Sequence, residues 1–431
     1  MKAGWTRPIE TGSLIVISHK SIACKFRMSL IATKTERKMS ARGTKEARYK
    51  YVNAPAEVAL YYGFSLFHPP NISRDDFKKA RAITDPDLRD KAGAAQCLCL
   101  EEKVALLRFW TEQKLENANA PAFLYFDSSI LPENHNGKSG KEKAVALEIL
   151  GASGSIAEAL LIKTTLEILK EAGESNLSVH LNSVGDRDTM GRFSRELSAF
   201  YRKNIEELSP HCRGLLKKDP FAVFYCRDEK CRNGKNNAPK TLNFLSESAR
   251  HHFKGVLEYL EFLEIPYEID HGLLGSRGFS SQTVFEIHNM ETAPKGEPLA
   301  TGSRYAGIAK KLGMRHDVPG IGVTIRLPKN SQRRIKFFKP KIYFVQLGFE
   351  AKLKSLKLIE LLRKEKIPLY QALSRDRLGA QLSVAETAHL PYTIIMGQKE
   401  AIEDTVIVRD MATRSQDTVK ISDLPKYLKK L

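Results

Sequence analysis

The chain lacks any run of about twenty apolar residues, so no membrane span is expected. Its first hydrophobic cluster, Leu14-Ile15-Val16-Ile17, is only four residues long and gives way to His19 and Lys20, so no secretory signal is expected either. Cysteine is scarce: six residues scattered over 431 make no disulfide framework and fit a reducing cytoplasm. Acid is short relative to base. Fifty Asp and Glu face 69 Lys and Arg, a net charge of +19 at pH 7, which points to an anionic partner, nucleic acid before a membrane surface. What is present belongs to a globular protein, with 42% hydrophobic and 28% charged residues on a length that suits two or three domains with cores of their own.

The excess base collects in two places. Residues 1–50 carry twelve Lys or Arg against Glu10, Glu36 and Glu46, a net +9. Such a stretch buries too little apolar surface to offset its ordering entropy. Residues 1–46 are therefore expected as a disordered basic extension, either a nucleic-acid-binding arm or a region partly outside the translated protein, since Met28 and Met39 are alternative starts to Met1. The second place is Pro328 to Lys341, with six basic residues and no acid. It is expected as an interdomain linker near an anionic ligand, with Arg333, Arg334, Lys336 and Lys339 as candidate contacts to nucleic acid.

Between these segments the pattern changes twice. From Pro55 a short helix runs to Gly63 and a strand begins at Phe64. Ala122 to Phe126 and Ala144 to Leu150 read as strands on either side of a polar loop, and Ser155 to Ala172 as a helix. Residues 186–264 are charged and helical. Ser280 to His288 alternates, so Thr283, Phe285 and Ile287 can be buried while Glu286 and His288 reach into a cleft. Ala300 to Tyr305 follows, leading into a helix, with a Gly-rich return at Val318 to Val323. Beyond 342 short apolar strands alternate with amphipathic helices, the pattern of a βαβ-built mixed sheet.

Cys212, Cys226 and Cys231, with His211 and His251 or His252, have the ingredients of a zinc site. They lack a C-x2-C knuckle and a fourth thiolate, so buried or incidental thiols are the favoured reading and no metal is assigned.

Thr283-Val284-Phe285-Glu286, Gly302-Ser303-Arg304-Tyr305, Gly307 and Pro319-Gly320-Ile321-Gly322 stand in the order and at the spacings of three motifs: R-G-L-D-Y-Y-x-x-T-V-F-E, G-G-R-Y-D-x-L and P-x-V-G-F-A-x-G-L-E-R. On these residues the chain resembles the histidyl-tRNA synthetase family over roughly residues 47 to 431. Further similarity lies at Gly63-Phe64 with Pro70, at Leu181-Asn182-Ser183-Val184-Gly185 and at Val406 to Thr413. The resemblance implies an α+β fold: a class II synthetase-like antiparallel sheet core over 47–328 with a helical insertion at 186–264, a linker at 329–341, and a C-terminal α/β anticodon-binding-like domain over 342–431. It also implies tRNA as a partner, ATP with Mg2+ and no prosthetic group, and a homodimer formed through the segment from Gly63 to Pro70.

Amino-acid activation needs cations where charge builds on the α-phosphate of ATP. The family's second-motif arginine falls on Ile130, the arginine of R-G-L-D-Y-Y on Gly275, and the Glu-Arg of the third motif on Pro328 and Lys329. An isoleucine, a glycine and a proline donate no side-chain hydrogen bonds, and lysine lacks the guanidinium fork. The implied protein is a divergent paralogue with degenerate catalytic motifs that binds tRNA. Two alternatives stand beside it. One is an active histidine-tRNA ligase in which Lys138, Arg277, Arg304 and Lys329 supply charge from shifted positions. The other is a regulatory subunit acting through a protein partner. The residues carried over as substrate contacts are Glu101, Glu148, Glu286, Arg304, Tyr305 and Phe279.

Overall fold

The computed structural model describes residues 49–83, 100–113, 115, 121–128, 142–217, 219–224, 226, 228, 231, 237–276, 278–291, 297–328, 334–371 and 377–431. The basic extension of residues 1–46 and the residues Ile130, Lys138, Arg277, Lys329 and Arg333 lie outside them. Among the described residues no helix is long and apolar enough to cross a membrane.

The strands in chain order are β1 (Tyr49–Asn53), β2 (Ser65–Leu66), β3 (Ala122–Asp127), β4 (Glu142–Leu150), β5 (Leu177–Gly185), β6 (Tyr267–Ile269), β7 (Ser280–Asn289), β8 (Ala300–Tyr305), β9 (Gly320–Pro328), β10 (Arg334–Phe338), β11 (Ile342–Gln346), β12 (Leu369–Gln371), β13 (Tyr392–Met396), β14 (Thr405–Asp410) and β15 (Gln416–Lys420). Eight form one sheet in the order β2-β3-β4-β9-β8-β7-β5-β6. Its interior pairs are antiparallel, and the two edge pairs, β2 with β3 and β5 with β6, are parallel. This is the antiparallel core expected from the sequence.

The two-residue period of the strands sorts the sheet into two faces. Val145, Leu147 and Ile149 on β4, Ile321, Val323 and Ile325 on β9, and Phe285 and Ile287 on β7 pack with Leu160, Leu161 and Ile168 of the helix Ile156–Glu171 and Val256 and Leu260 of the helix Glu247–Phe262. The opposite face carries Ala146 and Glu148 on β4, Gly322 and Thr324 on β9, Ser303 and Tyr305 on β8, and Val284 and Glu286 on β7, in facing register. Half of that face is covered by the helix Leu100–Glu112 through Leu100, Val104 and Leu107. The insertion covers Val184 and Val284 with Phe193, Leu197 and Phe221. The predicted helical character of residues 186–264 holds in the helices Arg187–Lys203, Pro210–Leu216, Pro220–Phe224 and Glu247–Phe262.

The basic linker is partly regular. Residues 334–338, expected as linker, form β10 and pair antiparallel with β1 from Arg334 opposite Asn53 to Phe338 opposite Tyr49. Phe337 is the cause: it is buried edge-on against Tyr61, and one apolar anchor in a basic stretch fixes the register of the two-stranded ribbon. Arg334, Lys336 and Lys339 remain exposed.

The C-terminal sheet has the order β12-β11-β13-β14-β15, parallel through β13 and antiparallel after it. Its helix Phe349–Lys364 docks on the core through apolar packing, with the Phe349 ring 5.0 Å from that of Tyr259, and through polar contacts. Arg363 reaches Glu171 at 2.9 Å and Glu360 at 2.8 Å, and the Tyr62 hydroxyl donates to Glu360 at 3.0 Å. Gln371 donates to the Tyr62 carbonyl at 2.6 Å.

Gly302 sits opposite Phe285 in the β7–β8 register, and a Cβ there would lie 2.2 Å from the phenyl ring. Gly302→Ala is expected to cost about 1–3 kcal/mol by overpacking. Adding Phe285→Leu should recover much of that loss because the two side chains share one space. Urea unfolding of the single and double variants checks it, and additive losses would contradict the packing account.

Candidate functional site

The centre of the open face is a buried carboxylate. Glu148 is fully buried, yet it accepts a hydrogen bond from the Tyr305 hydroxyl at 2.7 Å and pairs with Lys103 at 3.2 Å. Lys103, also fully buried, sits 4.0 Å from the centroid of the Tyr305 ring and 5.7 Å from that of Phe279. A carboxylate with two aromatic rings around an ammonium is a cation cage. Gly322 makes the room: a Cβ there would stand 1.9 Å from the Glu148 Oε1.

Local structure explains how the cage forms. Lys103 leaves the first turns of the helix Leu100–Glu112, which is tied to the helix Arg74–Ile83 by a two-pronged contact of Arg108 with buried Asp76, at 3.0 and 3.1 Å. Burial would push the Asp76 carboxyl up, but the hydrogen bonds from Arg108 and from Ser73 hold it below its ordinary value.

Of the residues singled out from the sequence, Glu148, Tyr305 and Phe279 come together here. Glu101 does not. It is half-buried two residues before Lys103, about 200° around the helix axis from it. Glu286 lies on the same face, two strands from β9. It bonds to His288 at 3.0 Å, with the His180 ring 4.8 Å from that of His288. In the rows between Glu148 and Glu286, the hydroxyls of Ser303 and Thr324 are buried without hydrogen-bond partners.

Arg304 is a correction. Expected as a substrate contact, it points to the opposite face, because it neighbours Tyr305 on one strand. Its Nε meets Glu158 at 2.5 Å, its Nη2 meets the other carboxylate oxygen at 2.6 Å, and its Nη1 donates to the Ala152 carbonyl at 2.7 Å. His252 stands 2.6 Å from the same Glu158. This guanidinium is spent on fixing a helix to the sheet.

Sequence reasoning missed Lys103 and Arg326 as members of the face. Residues 98–103 resemble a further family pattern, L-R-P-E-G-T, in which Lys103 replaces the Thr, and Arg326 replaces the second Gly of P-x-V-G-F-A-x-G-L-E-R, so both substitutions were visible in the sequence. The Arg326 guanidinium pairs with Glu297 while its Nε is without a partner. Cys212, Cys226 and Cys231, whose irregular spacing argued for incidental thiols, do come together, with sulfurs within 4.8 Å of one another.

Burial alone would raise the Glu158 carboxyl, but the charge and hydrogen bonds of Arg304, with those of His252, hold it at about 2. A depressed carboxylate contributes stability that is complete above its ordinary value of 4.5 and is lost as pH falls from there through about 2. Replacing Arg304 with methionine should cost about 3–5 kcal/mol, because Glu158 stays buried with its bidentate cation gone and only His252 beside it. In Glu158→Gln, the fall in stability between about pH 4.5 and pH 2 should be shallower than in the unaltered protein. Denaturant melts across that range test both, and an Arg304→Met variant of unchanged stability would return Arg304 to the list of substrate contacts.

The Anticodon binding domain family matches residues 341–431, the segment that contains the C-terminal sheet. The histidine–tRNA ligase of Halothermothrix orenii is 27% identical over 351 residues, covering 79% of this chain and 83% of that protein. The histidine–tRNA ligase of Caldanaerobacter subterraneus subsp. tengcongensis is 24% identical over 412 residues, covering 90% of this chain and 98% of that protein. A solved apo histidyl-tRNA synthetase from S. aureus aligns over 98% of this chain and 100% of its own, with 20% identity and a TM-score of 0.46. The motifs shared in sequence fall on the adjacent strands β7, β8 and β9, and over most of its length the chain is similar to histidine–tRNA ligases.

Proposed function

We propose that this chain binds tRNA and that its amino-acid activation is impaired. The observation that carries the reading is Lys103, an ammonium from the chain itself inside the Glu148–Tyr305–Phe279 cage. A free amino acid presents the same group, an ammonium, to the same carboxylate and rings. An internal ligand at very high effective concentration competes with any such substrate. Activation also needs the substrate carboxylate to attack the α-phosphate of ATP, held with Mg2+, beside cations. Gly275 stands where the family pattern has arginine, and a Cβ there would already meet the Val284 side chain at 2.7 Å.

The competing reading is an active histidine–tRNA ligase. It is favoured by Arg326, a guanidinium on the cage face four residues along β9 from Gly322, about 13 Å. ATP–pyrophosphate exchange with histidine separates the two. The unaltered protein should show exchange at background and no histidine binding by calorimetry, whereas Lys103→Thr, which empties the cage, should gain histidine binding and be stabilised by it. Robust exchange by the unaltered protein, abolished by Arg326→Ala, would overturn the impaired reading.

For tRNA, support comes from the family match at residues 341–431, the +19 charge, and the exposed cations Arg334, Lys336 and Lys339 beside that domain. With about five phosphate contacts, affinity should fall by about two to three powers of ten between about 50 and about 200 mM salt. Arg334→Glu with Lys336→Glu should weaken all tRNAs alike and flatten the salt slope by about two contacts, because phosphate contacts carry no sequence information. Filter binding across a salt series reads this, and salt-independent binding would sink it.

A further inference from the structure

The helical insertion holds a cluster that plays no part in the cage. Cys212 comes from the helix Pro210–Leu216, Cys226 follows the helix Pro220–Phe224, and Cys231 lies five residues on. Their sulfurs are mutually within 4.8 Å, and Cys212 and Cys231 are almost wholly buried. Sulfurs sharing a tetrahedral zinc at about 2.3 Å stand about 3.8 Å apart, so small side-chain rotations close the difference. We propose that Cys212, Cys226 and Cys231 bind one Zn2+ as a three-thiolate site.

The surroundings are those of sulfur ligands rather than of packed thiols. The Ser209 backbone N–H donates to the Cys231 sulfur at 3.4 Å, and the Asp228 N–H donates to the Cys226 sulfur at 3.4 Å. Bonds of this kind orient a thiolate and stabilise its charge. The Ser209 hydroxyl is 3.6 Å from the Cys231 sulfur and accepts from the Cys212 N–H at 3.4 Å, so one serine braces two of the three ligands. Tyr201, 1% exposed, has a hydroxyl without a hydrogen-bond partner, and its side chain packs in the same buried cluster as Cys212 and Cys231. An unpaired buried hydroxyl costs free energy where nothing polar fills the space it faces.

Thiolate donors select zinc or copper(I) over hard cations, and three protein sulfurs leave one tetrahedral position for a water. A disulfide does not account for the cluster, since any pairing leaves one thiol over. Binding joins the helix Pro210–Leu216 to the segment after the helix Pro220–Phe224, so the metal would stabilise this region and release protons from the thiols it binds.

The test uses the full chain, purified under reducing conditions and stripped with a chelator. Zn2+ alone should bind at one equivalent per chain, protect three thiols from a thiol reagent and raise the melting temperature. Co2+ in its place should give a thiolate-to-cobalt charge-transfer band. Cys226→Ser, at the half-exposed position, and Cys231→Ser should each weaken zinc binding at least tenfold. The proposal is overturned if the unaltered, folded protein shows no cobalt band and the same number of reactive thiols with and without Zn2+, a result that does not depend on any variant folding.

Discussion

Strand β8 is held from both sides by buried carboxylates, and the arrangement of both faces follows from that. Glu158 grips Arg304 from the helix side, while Glu148 receives the Tyr305 hydroxyl on the open side. Neither carboxylate is tolerable alone at such burial, because an unpaired ion inside a protein loses several kcal/mol of hydration. Each is satisfied by a cation and at least one further donor. The helix Ile156–Glu171 is thereby fixed against the sheet, and Tyr305 is set as one wall of the cage.

This explains which parts of the molecule were legible in its sequence. Single strands and helices and the C-terminal alternation follow from periodicity, since Phe285 and Ile287, or Ile394 and Met396, must be buried wherever the chain goes, whereas the antiparallel core with its helical insertion was implied by the resemblance. The site was legible only by motif. Matching Gly302-Ser303-Arg304-Tyr305 to a family pattern does not say which of two adjacent residues faces the ligand, and strand alternation sends Arg304 away from it. β10 escaped for a related reason: composition reads a basic stretch as linker, whereas one buried ring, Phe337, decides its conformation. The cysteines were visible as ingredients of a metal site but their spacing argued against one, because spacing along the chain is a poor guide when residues arrive from separate segments of a helical insertion.

Lys103 marks the departure with the largest chemical consequence. A threonine at its position would leave the Glu148 carboxylate facing the Tyr305 hydroxyl alone, a charge waiting for a cation. With lysine the charge is matched within the chain, at the cost of ordering a long side chain. A buried ion pair of this kind is poor evidence for stability, because its Coulomb energy is largely offset by desolvation. It is better evidence about recognition: a site that satisfies itself gains little by admitting a ligand of the same charge.

Whatever becomes of the cage, the proposed nucleic-acid binding rests on other residues. The exposed cations Arg334, Lys336 and Lys339 lie on or just after β10, and the C-terminal sheet reaches the core through Arg363, Tyr62 and Gln371, all on the helix side of the molecule or its edge. None of these contacts includes Glu148, Lys103 or their neighbours. Substitutions on the cage face therefore leave the C-terminal docking intact, and the electrostatic attraction for a polyanion is set by charges the cage does not contain. In a chain built this way the cage and the exposed cations are separate sets of residues, which is why the proposed impairment and the proposed tRNA binding have to be measured separately.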